Sequence, residues 1–171
     1  QTKNEKKTGD IELLLQKDGG RLRVLAPVIG TRIWELRVSD SQILMYDYRD
    51  QSSSLHENSL EIRVEFLGVD VQLVEIQELL QQPTKVSLLE VLKRDENQRA
   101  IELVKRDSVL GDQLSIDINR WQEGEAGLFP QKMKFEDPFT GNKIILVFRT
   151  RQSITAGTIV FEKIPELKPS S

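Results

Sequence analysis

The chain contains no cysteine, so its 171 residues form no disulfide, no thiolate metal site and no cysteine nucleophile. Its single histidine, His56, cannot make a multi-histidine metal site, and no nucleophile motif accompanies it for a serine–histidine–aspartate triad. No apolar run approaches the roughly 18 residues of a membrane-spanning helix. We therefore expect a protein that is not an enzyme and uses no cofactor or metal.

An excess of basic residues is also lacking, because the formal net charge is −3 at pH 7. A protein that tracks nucleic-acid phosphates needs such an excess, so we do not expect a protein of this class. Acidic and basic residues alternate with apolar ones along several segments, which is typical of solvated strand faces. We expect a globular monomer without a nucleic-acid partner.

The polar ends of the chain bound a single predicted domain. Residues 1–9 are polar and lysine-rich and predict a flexible leader, and residues 166–171, which follow Pro165, predict a loose tail. The domain is expected to span residues 10–165. The chain begins at Gln1, and we expect a processed start with a lipid-bearing cysteine upstream.

Alternation of apolar and polar residues is the dominant pattern and predicts β-strands. The clearest case is Leu60–Phe66, whereas the serine-rich stretch 49–59 is predicted to be a loop. Residues 86–92 fit either a helix or the first strand of a hairpin through the turn 95–98, and the near-symmetric flanks LLEVLKR and RAIELVKR favour the hairpin. The other predicted strands lie around residues 11–15, 21–25, 34–38, 43–48, 114–118, 132–135, 144–148 and 159–161.

One convincing helix is predicted, over residues 69–82. Asp70 is the expected N-cap and Pro83 the expected stop. Its apolar positions recur at helical spacing and are Leu73, Ile76 and Leu80. These three side chains are candidates for a mobile lid, and plain packing of the helix on a sheet makes the same demand.

These elements predict a mainly β (α+β) fold. The expected form is one large, curved antiparallel sheet of nine or ten strands, with the helix lying on its concave face. Because few helices cover this face, it is expected to keep an apolar cavity, with a filled core as the alternative. The candidate cavity residues are Trp34, Leu36, Leu44, Tyr46, Ile62, Val64, Phe66, Met133, Phe135 and Phe148.

The most informative segment is Arg21–Tyr48, which reads as three successive strands. The first connection carries two large apolar residues, Val28 and Ile29, at its tip. Such a tip is unfavourable in water unless it contacts lipid, a partner or the rest of the fold. Val28 and Ile29 are therefore the candidate membrane or partner loop, and the alternative is a loop that folds back onto the sheet.

Three segments resemble the lipoprotein-sorting family of bacterial envelopes (LolA/LolB-like), which comprises a periplasmic carrier and its outer-membrane acceptor. They are RLRVLAPVIGTRIWEL, SDSQILMYD, and the ending LFPQKMKFEDPFTGNKIILVFRTRQ with VFEKIP. The resemblance implies an open half-barrel of about nine to eleven strands, with one or a few helices on its concave face. It also implies that Ile29, with Val28 as the other candidate, matches an exposed, membrane-touching leucine of the acceptor. The loop here is one residue longer than the family's loop.

The resemblance implies a non-enzymatic periplasmic lipoprotein, anchored in the outer membrane. It would bind acyl chains of lipid or lipoprotein and act in lipoprotein transport or insertion at the inner face of that membrane, with a periplasmic carrier as partner. The alternative is an envelope scaffold or protein-interaction module on the same fold with a filled core. A hydrolase built on converging carboxylates is the third possibility.

Overall fold

The computed structural model describes residues 10–16, 19–26 and 31–149, which divide into two compact units after residue 58. The described residues form twelve strands and two α-helices, and every pair of neighbouring strands is antiparallel. The predicted mainly β, antiparallel fold is confirmed. The predicted single large sheet is wrong, because the strands form two five-stranded sheets and a separate two-stranded one.

The first unit is a meander in which each strand pairs with the next along the chain. Its strands are β1 (Asp10–Gln16), β2 (Gly19–Leu25), β3 (Arg32–Val38), β4 (Gln42–Asp47) and β5 (Ser52–Glu57). A short polar turn joins β3 to β4, where the Ser39 amide donates to the Gln42 carbonyl at 2.9 Å. Hairpin-length connections therefore set the strand order.

Strand β5 contradicts the predicted loop at residues 49–59. It pairs with β4 along its whole length, from Gln42 opposite Glu57 to Asp47 opposite Ser52. Serine and histidine are not strongly apolar, so this segment shows no alternation of apolar and polar residues that would predict a strand. The strand exists because its backbone completes the hydrogen-bond ladder of β4, a contact that the local sequence does not encode.

Over its described residues, 59–149, the second unit carries both helices and seven strands. Its helices are α1 (Leu60–Leu67) and α2 (Leu73–Gln81). Its strands are β6 (Glu90–Arg94), β7 (Ala100–Asp107), β8 (Gly111–Ile118), β9 (Trp121–Gly124), β10 (Gly127–Pro130), β11 (Lys132–Glu136) and β12 (Lys143–Val147). The five-stranded sheet has the order β12-β11-β8-β7-β6, and β9 and β10 form a hairpin. The hairpin predicted around the turn 95–98 is confirmed as β6–β7.

Helix α1 replaces the strand predicted at Leu60–Phe66, and that prediction was wrong. The Ser59 side chain caps its start by accepting from the Ile62 amide at 3.4 Å. Gly68 ends it in the left-handed region at φ 80°, and its amide donates to the Val64 carbonyl at 2.8 Å. The sequence fits both a strand and a helix, because it alternates apolar and polar residues and contains good helix formers such as leucine, glutamate and arginine. The caps at Ser59 and Gly68 favour the helix.

Helix α2 confirms the predicted helix but begins at Leu73, and the predicted N-cap Asp70 is wrong. The N-cap is Gln72, whose amide donates to the Glu75 carboxylate at 2.8 Å. Asp70 instead accepts from Arg63 at 2.7 Å, so its carboxylate serves an ion pair. The helix ends at Gln81, just before Pro83, as expected.

The core of the second unit lies on one face of its five-stranded sheet. Leu103, Ile116 and Phe135 stand side by side in the register of β7, β8 and β11, and each is at most 1% exposed. Lys105 lies on the same face, opposite Leu114, and its ammonium group is 2.9 Å from the Glu75 carboxylate. The first turn of α2 therefore lies over this face. The predicted leader, the strand near residues 159–161 and the tail lie outside the described residues.

Candidate functional site

The predicted contact loop with Val28 and Ile29 lies outside the described residues, but its two flanks are described. Strands β2 and β3 are antiparallel neighbours, as expected for a hairpin. At the base of the loop the Ala26 amide donates to the Thr31 carbonyl at 2.8 Å. The strands therefore bring the loop ends together, and the role of Val28 and Ile29 stays a prediction.

The predicted cavity residues of the first sheet do not share one face. They are Trp34, Leu36, Leu44 and Tyr46. In the register of β3 and β4, Leu36 lies opposite Met45, whereas Tyr46 lies opposite Glu35. Because paired residues point to the same side of a sheet, Trp34 and Leu36 lie on one face and Leu44 and Tyr46 on the other. These four side chains do not line a common surface.

The remaining cavity candidates lie in the second unit. Ile62, Val64 and Phe66 belong to α1 and not to a strand. Residues two apart in a helix point to nearly opposite sides, so Ile62 and Val64 do not line one surface. Met133 and Phe135 are buried on the apolar face of the sheet. Phe148 follows β12 and is half-buried. The structure keeps Met133 and Phe135 together, and their proposed role as cavity walls stays a prediction.

The proposed lid residues lie on α2 as predicted. Ile76 and Leu80 are each 8% exposed, and Leu73 is half-buried. Leu79, which the prediction omitted, is fully buried beside them. Burial of this stripe is required both of a closed lid and of a packed core helix, so the lid role stays a prediction.

A buried carboxylate is the main feature that sequence reasoning missed. Glu35 is fully buried, although the alternation of β3 had indicated a solvated position. Its carboxylate accepts from Arg23 Nε at 2.5 Å and from Arg37 Nε at 2.6 Å. It also accepts from the Tyr48 hydroxyl at 3.2 Å. We call Glu35, Arg23, Arg37 and Tyr48 the Glu35 cluster.

The electrostatics of the Glu35 cluster keep its carboxylate ionised. Burial raises the pKa of Glu35, but hydrogen bonds from Arg23 and Arg37, and their charges, outweigh it and hold that pKa below its usual range. For Arg23, burial acts to lower the pKa, but the hydrogen bond to Glu35 and its charge outweigh this effect, so the pKa of Arg23 is raised. The cluster thus holds one negative and two positive charges.

Aromatic rings extend the Glu35 cluster across the same face of the first sheet. The Arg37 guanidinium lies over the Tyr46 ring at 4.6 Å from its centroid, and the rings of Tyr46 and Tyr48 stack at 6.3 Å. Arg32 lies 5.8 Å from the centroid of Tyr48. The contact with Tyr46 stabilises the guanidinium group of Arg37, which is partly removed from water. The signal in the sequence was a set of arginines facing a glutamate and two tyrosines on adjacent strands.

A second missed feature is a pair of turns with exposed apolar side chains. The β7–β8 turn reads DSVLG and the β11–β12 turn reads DPFTG. Val109 is 87% exposed, Leu110 64% and Phe139 70%. We call these three residues the turn tips. Isolated exposed apolar residues are ordinary, but their recurrence in two turns of one sheet is not.

The two turns have the same construction. Asp107 accepts from the amides of Val109 at 2.8 Å and Leu110 at 3.0 Å. Asp137 accepts from the amides of Phe139 at 2.8 Å and Thr140 at 3.2 Å. Each turn closes with a glycine at positive φ, 81° at position 111 and 72° at position 141. The aspartate and the glycine thus fix the backbone while the middle side chains point into solvent.

Both turns lie at the same end of the five-stranded sheet. Val104 is paired with Ser115, which is in turn paired with Glu136, so these residues form one row across β7, β8 and β11. The chain continues from this row into both turns. Asp107 lies three residues beyond the row and Asp137 one residue beyond it, so the β7–β8 turn projects further, by about 7 Å.

A buried ion network joins the helices of the second unit to β7. Arg63 bonds to Asp70 at 2.7 Å, and the Lys105 ammonium lies 3.1 Å from Asp70 and 2.9 Å from Glu75. We call these four residues the Lys105 network. Its charges alternate in sign and each is paired, an arrangement that fixes the helices rather than leaving a reactive group exposed.

Within residues 10–16, 19–26 and 31–149, no group of three or more histidine, aspartate or glutamate side chains is placed to hold a metal ion. None of the helices in that part of the chain is long and apolar enough to span a membrane. No protein-family model matches the chain, and no curated protein matches it. What the fold defines is a mainly β protein with antiparallel sheets.

Proposed function

We propose that the protein is a non-enzymatic periplasmic envelope lipoprotein that binds acyl chains of lipid or lipoprotein and contacts the outer membrane through its turn tips. It would take part in lipoprotein transport or insertion at the inner face of that membrane, with a periplasmic carrier as partner. The observation that carries the proposal is the exposure of Val109, Leu110 and Phe139 at one end of a sheet. The upstream lipid anchor belongs to the same proposal.

The energetics of the turn tips favour a lipid surface. Full burial of a side chain of this size is worth about 1.5–3 kcal/mol. The amides of all three residues already donate to Asp107 or Asp137. Burial of the turns therefore leaves none of these amides without a hydrogen-bond acceptor. A fluid surface accepts two separate projections without a preformed pocket. This supports insertion of the turn tips among lipid headgroups.

The membrane contact is tested by co-sedimentation with neutral phosphatidylcholine vesicles. The double variant Leu110→Glu, Phe139→Glu places two charges at the contact and is expected to weaken vesicle binding at least about tenfold. The matched control is Leu92→Glu, because Leu92 is 52% exposed but lies on β6, away from the turns. All variants are compared for unfolding temperature, since exposed substitutions are expected to leave it nearly unchanged.

Two outcomes contradict the membrane contact. One is a wild-type protein that does not sediment with vesicles. The other is an equal loss of binding in the Leu92 control. The cargo is tested separately by native mass spectrometry of the purified protein, where a bound lipid mass is expected and its absence, together with no uptake of a fluorescent fatty acid, argues against an acyl-chain site.

A second candidate function, a protein-interaction module, is favoured by strand β12. Its outward residues Ile145 and Val147 are 47% and 67% exposed. Alternate apolar side chains on one strand suit docking of another protein better than insertion into lipid. Replacement of Ile145 by glutamate separates the two functions. Loss of a protein complex with vesicle binding retained supports the module, whereas unchanged complex formation argues against it.

A further inference from the structure

The end of the five-stranded sheet that carries the turn tips also carries surplus negative charge. This end is formed by residues 105–114 and 137–142. Lys105 is held inside the Lys105 network, where two carboxylates contact it. The other charged side chains at this end are three carboxylates and one cation, which are those of Asp107, Asp112, Asp137 and Arg106. The turn tips therefore project from a surface of negative net charge.

The single cation of this surface is already shared between two carboxylates. Arg106 Nε donates to Asp112 at 2.6 Å, and Nη1 donates to Glu90 at 2.8 Å. Glu90 lies on the row that marks the base of this end of the sheet, so it adds a further negative charge. In the part of the chain that the structure describes, neither Asp107 nor Asp137 has a cation within ion-pair distance.

The two turn aspartates are ionised and fixed in position. Hydrogen bonds from the Leu110 amide and from the amide before it lower the pKa of Asp107. Burial acts to raise the pKa of Asp137, but hydrogen bonds from Phe139 and Thr140 outweigh it, so that pKa is lowered. Because the same hydrogen bonds hold the turns, these carboxylates stay at the base of the turn tips.

The carboxylates lie at the height of the lower turn tip. Phe139 comes two residues after Asp137, so it projects at most three residues, or about 10 Å, beyond the row. Asp107 lies three residues beyond the same row, so a lipid surface that reaches both Phe139 and Leu110 comes level with Asp107. The Debye length at physiological ionic strength is about 8 Å, so the headgroup charges of such a surface act on these carboxylates.

We propose that the turn tips bind zwitterionic lipid headgroups and are repelled by anionic ones, so that headgroup charge selects the lipid surface the protein enters. This rests on the membrane contact proposed above and names the lipid class of that contact. The apolar side chains of the turn tips supply an attraction that does not depend on headgroup charge. The carboxylates of Asp107, Asp112 and Asp137 supply the repulsion. Basic residues near a surface have the opposite preference, because they are attracted to anionic lipid.

The test is co-sedimentation of the full chain with two kinds of vesicle, one of pure phosphatidylcholine and one that also contains phosphatidylglycerol. At about 0.01 M salt the Debye length is about 30 Å, and binding to the anionic vesicles is expected to be at least about tenfold weaker than to the neutral ones. At about 1 M salt the Debye length falls to about 3 Å, and the difference is expected to disappear.

Two substitutions within one ion pair separate the effect of charge from that of structure. Asp112→Asn removes a negative charge and Arg106→Gln removes the positive one, and both break the same contact of 2.6 Å. The two side chains are about half exposed, so either change is expected to leave the unfolding temperature nearly unchanged. The preference for neutral vesicles is expected to fall about threefold in Asp112→Asn and to rise about threefold in Arg106→Gln.

Three results overturn the headgroup preference and leave the membrane contact standing. The wild-type protein binds anionic vesicles as tightly as neutral ones. The two variants change the preference in the same direction, which assigns the change to the broken ion pair. Or the difference between the vesicles persists at high salt, which shows that it does not come from charge. Failure to bind either kind of vesicle overturns the membrane contact and the headgroup preference together.

Discussion

Replacement of Glu35 by glutamine tests whether the Glu35 cluster stabilises the first sheet. Glutamine has the same shape but carries no charge and turns one acceptor oxygen into a donor. That donor would face the Nε–H of Arg23 or Arg37, which now donate at 2.5 and 2.6 Å. The variant therefore removes the buried carboxylate that Arg23 and Arg37 share and adds a donor–donor clash.

The magnitude follows from the burial of the partners. Glu35 is fully buried, and the side chains of Arg23 and Arg37 are 15% and 21% exposed. Removing one partner of a buried ion pair costs about 3–5 kcal/mol, and the partial exposure of the arginines places this case near the lower bound, at about 3 kcal/mol. For a chain of this length that corresponds to a fall of about 6–12 °C in unfolding temperature.

The assay is urea unfolding at pH 7, followed by the combined fluorescence of Trp34 and Trp121. Glu12→Gln is the matched control, because Glu12 contacts the same Arg23 at 3.6 Å but is 59% exposed. An exposed ion pair is worth less than about 1 kcal/mol, so this control is expected to stay close to wild type. Equal loss of stability in the two variants refutes the assignment of the stabilisation to the buried carboxylate.

The same variant predicts a dependence on pH. The pKa of Glu35 is lowered in the folded protein, so its contribution is complete above the unfolded-state pKa of about 4.3 and is lost as the pH falls through the folded value. The difference in stability between wild type and Glu35→Gln is therefore expected to be constant above about pH 5 and to shrink below about pH 4. A difference that stays constant down to pH 3 contradicts this reasoning.

Two further substitutions probe the two units. Lys105→Met removes the cation between Asp70 and Glu75. We expect the free energy of unfolding, measured by urea titration, to fall by about 3 kcal/mol. An unchanged midpoint argues against a structural role for the Lys105 network. Gly19→Ala places a Cβ against the carbonyl oxygen of Val38. We expect the free energy of unfolding to fall by about 1–3 kcal/mol, which a thermal scan detects as a lower unfolding temperature. An unchanged unfolding temperature contradicts the close approach.

The strands with strong alternation could be predicted because the pattern is local. Residues 114–118 alternate apolar and polar positions, and β8 forms there. The hairpin β6–β7 was predicted from its symmetric flanks around a polar turn, and the structure confirms it. In these cases the side-chain period, the turn residues and the final pairing all agree.

The stretch at residues 60–67 was predicted wrongly because two patterns fit the same letters. LEIRVEFL alternates like a strand, yet every residue in it is also acceptable in a helix. Ser59 and Gly68 carried the decisive signal as caps, and both stand in the sequence. The prediction of a loop in place of strand β5 was wrong for a different reason, because the pairing of β5 with β4 is not encoded in the residues of β5 themselves.

The candidate site could be predicted only in part because it depends on strand register. A shift of one residue between β3 and β4 would place Leu36 and Leu44 on the same face, and no local pattern fixes that register. The burial of Glu35 likewise follows from side chains on neighbouring strands. The turn tips did have a local signal, since both turns repeat an aspartate, a central apolar residue and a closing glycine.

The repeated construction of the two turns makes them suitable positions for chemical reporters. Asp107 and Asp137, with the closing glycines, hold the backbone, so a change of side chain at position 109 or 139 leaves the turn intact. The chain has no cysteine, so Val109→Cys or Phe139→Cys introduces one unique thiol for a spin or fluorescent label. Because the two turns project to different heights, labels at these two positions would report how deeply this end of the sheet is buried in a membrane or a protein partner.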